Sequence, residues 1–204
     1  MNASPPELRA ALERAQAAGM LGPDDVDRQI AHALEFLRPF AVERDAACLD
    51  LGSGGGVPGL PLILAYPHTR WTLVDAWQAR CDHLARAAQA LGVDGRVAVV
   101  HARAEAAGQG PLRTAADVVV ARSFGPPPAT AECAGPLLRL GGRLVVSVAE
   151  EATWPAEIPE VGLREERAWR TPSGAFRSYL RTGDVDARFP RRPSAQRRAP
   201  LFAA

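Results

Sequence analysis

Lysine is absent from this 204-residue chain, and every one of its 24 basic residues is arginine. The complete loss of one basic type reads as proteome-wide composition, so arginine richness alone does not announce a polyanionic partner. Cysteine is scarce. Cys48, Cys81 and Cys133 are widely spaced and none forms a CxxC pair. That excludes a disulfide framework and points to no metal site, and the three thiols read as small buried apolar groups. No apolar run reaches the roughly eighteen residues of a membrane-spanning helix. Met1-Asn-Ala-Ser-Pro-Pro-Glu7 has neither the basic nor the apolar stretch of a secretory leader. The expectation is a cytoplasmic protein, monomeric, with no membrane and no metal.

What is present is ordinary globular material, 47% hydrophobic and 23% charged. The length suits one α/β domain with a full core and a short extension. We expect a single domain: helices over 1–45, a ligand-binding core over 46–183 and a basic Arg/Pro-rich end over 184–204. Charge is uneven. From Arg164 onward there are ten arginines against four acids, whereas the preceding residues carry 14 arginines against 19 acids. A basic end on a mildly acidic body fits either a polyanion approached from one side or a solvated arginine-rich tail.

Residues 6–18 form an expected helix ended by Gly19, and Gly22-Pro23-Asp24-Asp25 starts a second one. Val26, Ile30, Ala33, Leu34 and Leu37 fall at helical spacing on its core face. Strands are expected over 47–51, 70–74, 97–101, 117–121 and 143–147, separated by helices over 58–65, 77–91 and 128–140. Near-continuous apolar strands alternating with helices indicate a doubly wound, mostly parallel sheet covered on both faces. Residues 163–170 and 175–182 read as a C-terminal antiparallel pair turning through Pro172-Ser-Gly174. Beyond Gly183 no regular structure is expected.

Asp50-Leu-Gly-Ser-Gly-Gly-Gly-Val-Pro-Gly59 joins the first strand to its helix. Ligands in such sheets bind at the carboxyl ends of the strands, and glycines there let a ligand lie against bare backbone. Gly54, Gly56 and Gly59 satisfy GxGxxG, the dinucleotide fingerprint. Yet Gly52 holds the position next to the strand, and counted from it the third glycine falls on Val57. Asp50 would repel a pyrophosphate and suits a ligand bearing an amino group, such as the methionine moiety of S-adenosylmethionine. Asp75, at the end of the second strand, can accept both ribose hydroxyls of any adenosine ligand. Ala104-Glu105 stands in the loop after the third strand, where adenine would lie. Arg122-Ser-Phe124 ends the fourth strand, at the floor of a substrate pocket.

These residues resemble the RsmG (GidB) family of 16S ribosomal RNA guanine-N7 methyltransferases. The likeness rests on Asp50–Gly59 with its Pro58-Gly59 ending, on Leu73-Val-Asp75 followed by Arg80 and Leu84, and on Ala104-Glu105. It includes Ala121-Arg-Ser-Phe124, the basic end from Asp186 to Phe202, and Gly22-Pro23 with His32. The resemblance implies a class I S-adenosylmethionine-dependent methyltransferase fold and a partner in 16S rRNA or the small ribosomal subunit. It implies cofactor contacts at Gly52, Val57, Ala104, Glu105 and Arg122; Asp50, Gly54 and Asp75 join them on the arguments above. The chain departs from the family's pattern in a short N-terminal region, in Ala79 and Val148 where lysine is usual, and in Pro126-Pro127-Pro128.

No catalytic acid or base stands out. Arg122 and Phe124 are the expected substrate-positioning residues, with Trp77 a second aromatic for a splayed base. Arg188, Arg191, Arg192, Arg197 and Arg198 are expected on rRNA phosphates. The alternatives are a methyltransferase of this descent acting on a small molecule or a protein, and a non-catalytic binder of the cofactor or of RNA.

Overall fold

The computed structural model of the chain describes residues 5–149 and 151–203, so the leader reading over residues 1–4 lies outside the described residues. Two helices precede the sheet. α1 (Pro6–Ala17) carries proline in its first turn, where the missing N–H costs nothing, and buries Leu8, Ala11, Leu12 and Ala15. α2 (Val26–Leu34) is capped by Asp25, whose carboxylate accepts the Arg28 N–H at 3.0 Å. It stops short of Leu37, although Phe36 and Leu37 stay buried in the turns that follow.

Five parallel strands then alternate with helices, in the sequence β1 (Ala47–Leu51), α3 (Gly59–Ala65), β2 (Arg70–Asp75), α4 (Gln78–Ala90), β3 (Val97–His101), α5 (Ala104–Gln109), β4 (Ala116–Ala121), α6 (Pro127–Ala134) and β5 (Leu138–Val148). Three antiparallel strands extend the sheet: β6 (Glu157–Ile158), β7 (Leu163–Thr171) and β8 (Gly174–Arg181). The order is β3-β2-β1-β4-β5-β8-β7-β6, so direction along the sheet reverses between β1 and β4. The alternation of side chains along each strand feeds two cores. Cys48, Leu73, Val118, Val120 and Val145 pack under α1 to α4, and Leu49, Leu51, Val74, Val119 and Val146 pack under α5 and α6.

Three expectations are corrected. The helix expected over 128–140 ends at Ala134, followed by a 3-10 turn over Gly135–Leu137 and a strand from Leu138. Pro136 has no N–H to donate to a carbonyl one turn back, so the α-helical ladder cannot continue through it. Ala104-Glu105 opens α5 rather than lying in a loop; six residues are too short to show a period. The end after Gly183 is ordered. It contains α7 (Pro193–Arg198), and Arg113 donates to the carbonyls of Phe189, Val185 and Asp186 at 2.6, 3.0 and 3.2 Å.

Candidate cofactor and acceptor cleft

The glycine-rich loop leaves β1 at the point where strand order reverses, and its backbone is tied to the end of β2. The N–H groups of Gly52 and Ser53 both donate to the Val74 carbonyl, at 2.9 and 3.0 Å. Gly54 N–H donates to Asp75 Oδ2 and Trp77 N–H to Asp75 Oδ1, each at 2.9 Å. Asp75 thus braces both the loop and the start of α4. An ionised carboxylate accepts about four hydrogen bonds, which leaves acceptor capacity for a ligand.

A cleft lies above this turn in two adjoining parts. The first, about 160 Å³, is walled by Gly52, Asp75, Trp77, Ala104 and Phe124. The second, about 360 Å³, is walled by Met20, Leu21, Gly22, Asp24, Gly54, Val57 and Arg122. Gly52, Arg80 and Ser123 border both parts. Gly52 has φ +74°, and a Cβ there would stand 2.6 Å from Cδ2 of Phe124. Bare backbone is therefore required where the ring crosses the loop. Trp77 is 66% exposed at the mouth, with the Arg80 guanidinium 5.2 Å above its ring. That arginine also lies 3.7 Å from Asp75.

Arg122 projects from the end of β4. It borders the second part of the cleft and two further hollows, of about 350 and 620 Å³, which open toward Ser147–Ala149 and toward Arg28 and His32. Burial draws its guanidinium below the ordinary arginine range, and Asp24 and Asp50 partly oppose that. Its Nη1 donates to Gln29 Oε1 at 3.0 Å. His32 lines both hollows. Its Nδ1 is 2.8 Å from the Ser173 carbonyl, which can only accept, so Nδ1 carries the proton. Burial lowers the pKa of this histidine and favours the neutral ring.

The family described as rRNA small subunit methyltransferase G (GidB) matches residues 15–155. The chain belongs to that family. The match takes in the whole cleft: the loop, Asp75, Ala104 and Arg122. A curated relative, the ribosomal RNA small subunit methyltransferase G of Staphylococcus epidermidis, is 27% identical over 192 residues, spanning 87% of this chain and 80% of that protein. The Synechococcus protein of the same name is 36% identical over 126 residues, 59% of this chain and 50% of its own. A solved structure of a putative methyltransferase from Escherichia coli superposes with TM-score 0.58 at 24% identity, covering 80% of this chain and 89% of that one. A SAM-dependent methyltransferase from Aquifex aeolicus gives 0.59 at 15% identity, covering 83% and 97%. At these identities the two structures speak for the fold: a class I methyltransferase architecture.

Within the GidB region, Gly52, Gly54, Val57, Asp75, Ala104, Arg122 and Phe124 all border the cleft or its adjoining hollows. Asp50 and Glu105 do not line either part. Asp50 lies beneath the loop, 1% exposed, where its Oδ2 accepts the Gly59 N–H at 3.0 Å. A Cβ on Gly59 would come within 2.5 Å of that oxygen. Burial raises the Asp50 pKa to about 7, and its Oδ1 is buried with no protein partner. Asp50 thus braces Gly59 from beneath the loop with one carboxylate oxygen and leaves the other unpartnered. Glu105 pairs with Arg103 at 3.4 Å.

Arg191, expected on rRNA phosphate, is tied to the buried Glu132. Arg188, Arg192, Arg197 and Arg198 are exposed, and Arg188 keeps a 3.6 Å pair with Asp186. Sequence reasoning gave no cleft role to Met20, Leu21, Gly22, Asp24 or Arg80, and it did not single out Gln29. Gln29 left a signal: it interrupts the apolar face made by Val26, Ile30 and Ala33. Among the described residues, no group of three or more His, Cys, Asp or Glu is placed to hold a metal. Among them too, no helix is long and apolar enough to cross a membrane.

Proposed function

We propose that this chain methylates N7 of a guanine in small-subunit ribosomal RNA, with S-adenosylmethionine held in the two-part cleft. The observation that carries the reading is the coincidence of the family match with a cleft at the strand-order reversal, walled by Gly52, Asp75, Ala104 and Arg122. The residues fit the cofactor. Bare glycine backbone and Ala104 leave flat space for an adenosine, and Asp75 keeps free acceptor capacity for ribose hydroxyls. Arg122 and Arg80 supply cationic donors for a carboxylate.

When bound, S-adenosylmethionine supplies an electrophilic methyl group on a sulfonium. The chain's own task is orientation, since bringing two reactants into line accounts for much of such a rate enhancement. Guanine N7 bears a lone pair and no proton, so no side chain here needs to act as a general base. Arg122 stands between the cleft and the two hollows and holds a cofactor carboxylate or an RNA phosphate. Phe124, shared by the cleft and one hollow, offers a ring face to the base. The exposed Arg188, Arg192, Arg197 and Arg198 engage rRNA phosphates, and the reaction takes place in the cytoplasm.

The deciding experiment incubates the protein with labelled S-adenosylmethionine and either immature small subunits or free rRNA, then maps the modified base. Label at a guanine N7 is expected. Cofactor binding by calorimetry without label in RNA would move the acceptor to a small molecule or a protein.

A further inference from the structure

We propose that Gln29 is a positioning residue that joins two parts of the reaction site, setting Arg122 with one end of its amide and latching the Gly22–Asp24 segment over the cofactor cleft with the other. This rests on the reading of the cleft as the cofactor site.

Gln29 is 2% exposed, on the core face of α2. Its Oε1 accepts from Arg122 Nη1 at 3.0 Å, and its Nε2 donates to the carbonyls of Gly22 and Asp24, each at 3.0 Å. Chemistry allows one amide orientation only. A guanidinium can only donate and the two carbonyls can only accept, so oxygen must face Arg122 and nitrogen the chain. All the hydrogens of this buried amide are used.

The latched segment roofs the cofactor cleft. Met20, Leu21, Gly22 and Asp24 form one wall of its larger part. The segment also sits on the glycine loop: a Cβ on Gly55 would lie 2.9 Å from Leu21 Cβ and 3.0 Å from the Met20 carbonyl oxygen. A second amide grips the same two carbonyls from α1, with Gln16 Nε2 at 2.7 Å from Gly22 O and 2.6 Å from Asp24 O. Gln16 touches only the roof, whereas Gln29 touches the roof and Arg122. Arg122 in turn borders the cofactor cleft and both hollows where an acceptor base would enter. Gln29 thus joins roof and arginine through its own hydrogen bonds.

Two substitutions separate the arms. Gln29→Met keeps the length and removes every hydrogen bond. Gln29→Glu keeps an acceptor for Arg122 but turns oxygen toward the two carbonyls, so only the latch is lost. In the full chain, we expect both to weaken S-adenosylmethionine binding by about tenfold in calorimetry, the scale of two lost hydrogen bonds. At saturating cofactor, kcat for methyl transfer to small subunits falls about tenfold in Gln29→Met and is largely restored in Gln29→Glu. Gln16→Ala tests the roof without disturbing Arg122 and should weaken cofactor binding several-fold. A thermal midpoint recorded for each variant confirms that the folded protein is being compared.

Equal kcat in the Met and Glu variants would overturn the Arg122 arm. Unchanged cofactor affinity in Gln16→Ala and both Gln29 variants would overturn the latch. A wild-type protein that fails to bind S-adenosylmethionine would instead remove the cofactor reading, and this inference with it.

Discussion

Arg191 closes on Glu132 through three hydrogen bonds: its backbone N–H and Nε reach Oε1 at 2.7 and 2.9 Å, and its Nη2 reaches Oε2 at 2.5 Å. Glu132 is 1% exposed on α6, so the arginine pins the C-terminal segment to the sheet's α5–α6 face. Removing one partner of a buried pair strands the other charge, at a typical cost of about 3–5 kcal/mol. Arg191→Ala should therefore lower the urea midpoint strongly. Arg192→Ala, at the exposed neighbour, should shift stability by no more than about 0.5 kcal/mol. Equal stabilities for the two variants would show that the clamp holds nothing.

Asp50 predicts an inverted pH dependence. Burial first, and then Asp75, raise its pKa from 3.8 to about 7 against the opposing hydrogen bonds from Gly59 and Ser53. Between those values the folded chain binds more protons than the unfolded chain, so this group's contribution to stability falls as pH rises. The full loss is roughly 4 kcal/mol at about 1.4 kcal/mol per pH unit. Asp50→Asn keeps a carbonyl oxygen for the Gly59 N–H and does not titrate. Its stability relative to wild type should improve steadily from about pH 4 to about pH 7, as read by denaturant midpoints across that range. A flat difference curve would place the Asp50 pKa at its ordinary value.

The loop predicts a contrast between two glycines with similar backbones. Gly52 has φ +74° and Gly92 has φ +65°, but a Cβ at Gly52 meets the Phe124 ring whereas one at Gly92 meets nothing within 4 Å. Alanine at either position carries backbone strain of about 1 kcal/mol. Gly52→Ala must also displace Phe124, so it should weaken S-adenosylmethionine binding by more than tenfold, while Gly92→Ala leaves affinity unchanged. Comparable affinity losses would trace the effect to backbone strain alone.

The parallel strands were legible because each is a short apolar run, and β1 and β3 fall where expected; β1 and β4 are buried on both faces, whereas β3 at the sheet edge is only half-buried. The glycine loop was legible because so many glycines after a strand exceed what a turn needs. The start of β5 was hidden by Gly141-Gly142, which read as a helix stop. In the structure a Cβ on Gly142 would stand 2.9 Å from the carbonyl oxygens of Ala116 and Arg139, so bare backbone is required where β4 and β5 shift register. The role of Arg191 was illegible for a different reason. Its partner lies 59 residues away, and no local pattern distinguishes a clamping arginine from a solvated one. Asp50 shows the same limit: an acid at a strand end faces either the ligand or the helix beneath, and only packing decides.

The basic end yields the last prediction, and the Arg191 clamp changes which residues it concerns. Each lysine or arginine that neutralises an RNA phosphate releases a counterion, which contributes about 0.7–0.9 to the slope of log affinity against log salt. Four exposed arginines remain for this role: Arg188, Arg192, Arg197 and Arg198. Arg197 and Arg198 close the last turn of α7, where they also complement the helix carbonyl end. Arg188 is partly spoken for by Asp186, so its share should be the smallest. Changing Arg192, Arg197 and Arg198 together to alanine should reduce the slope for small-subunit RNA by about two to three and leave S-adenosylmethionine affinity intact. The thermal midpoint should hold as well, because none of the three is buried. If the slope is unchanged while binding persists, the phosphate contacts lie elsewhere. Arg28 and Arg122, at the hollow of about 620 Å³ beside His32, are then the next cations to replace.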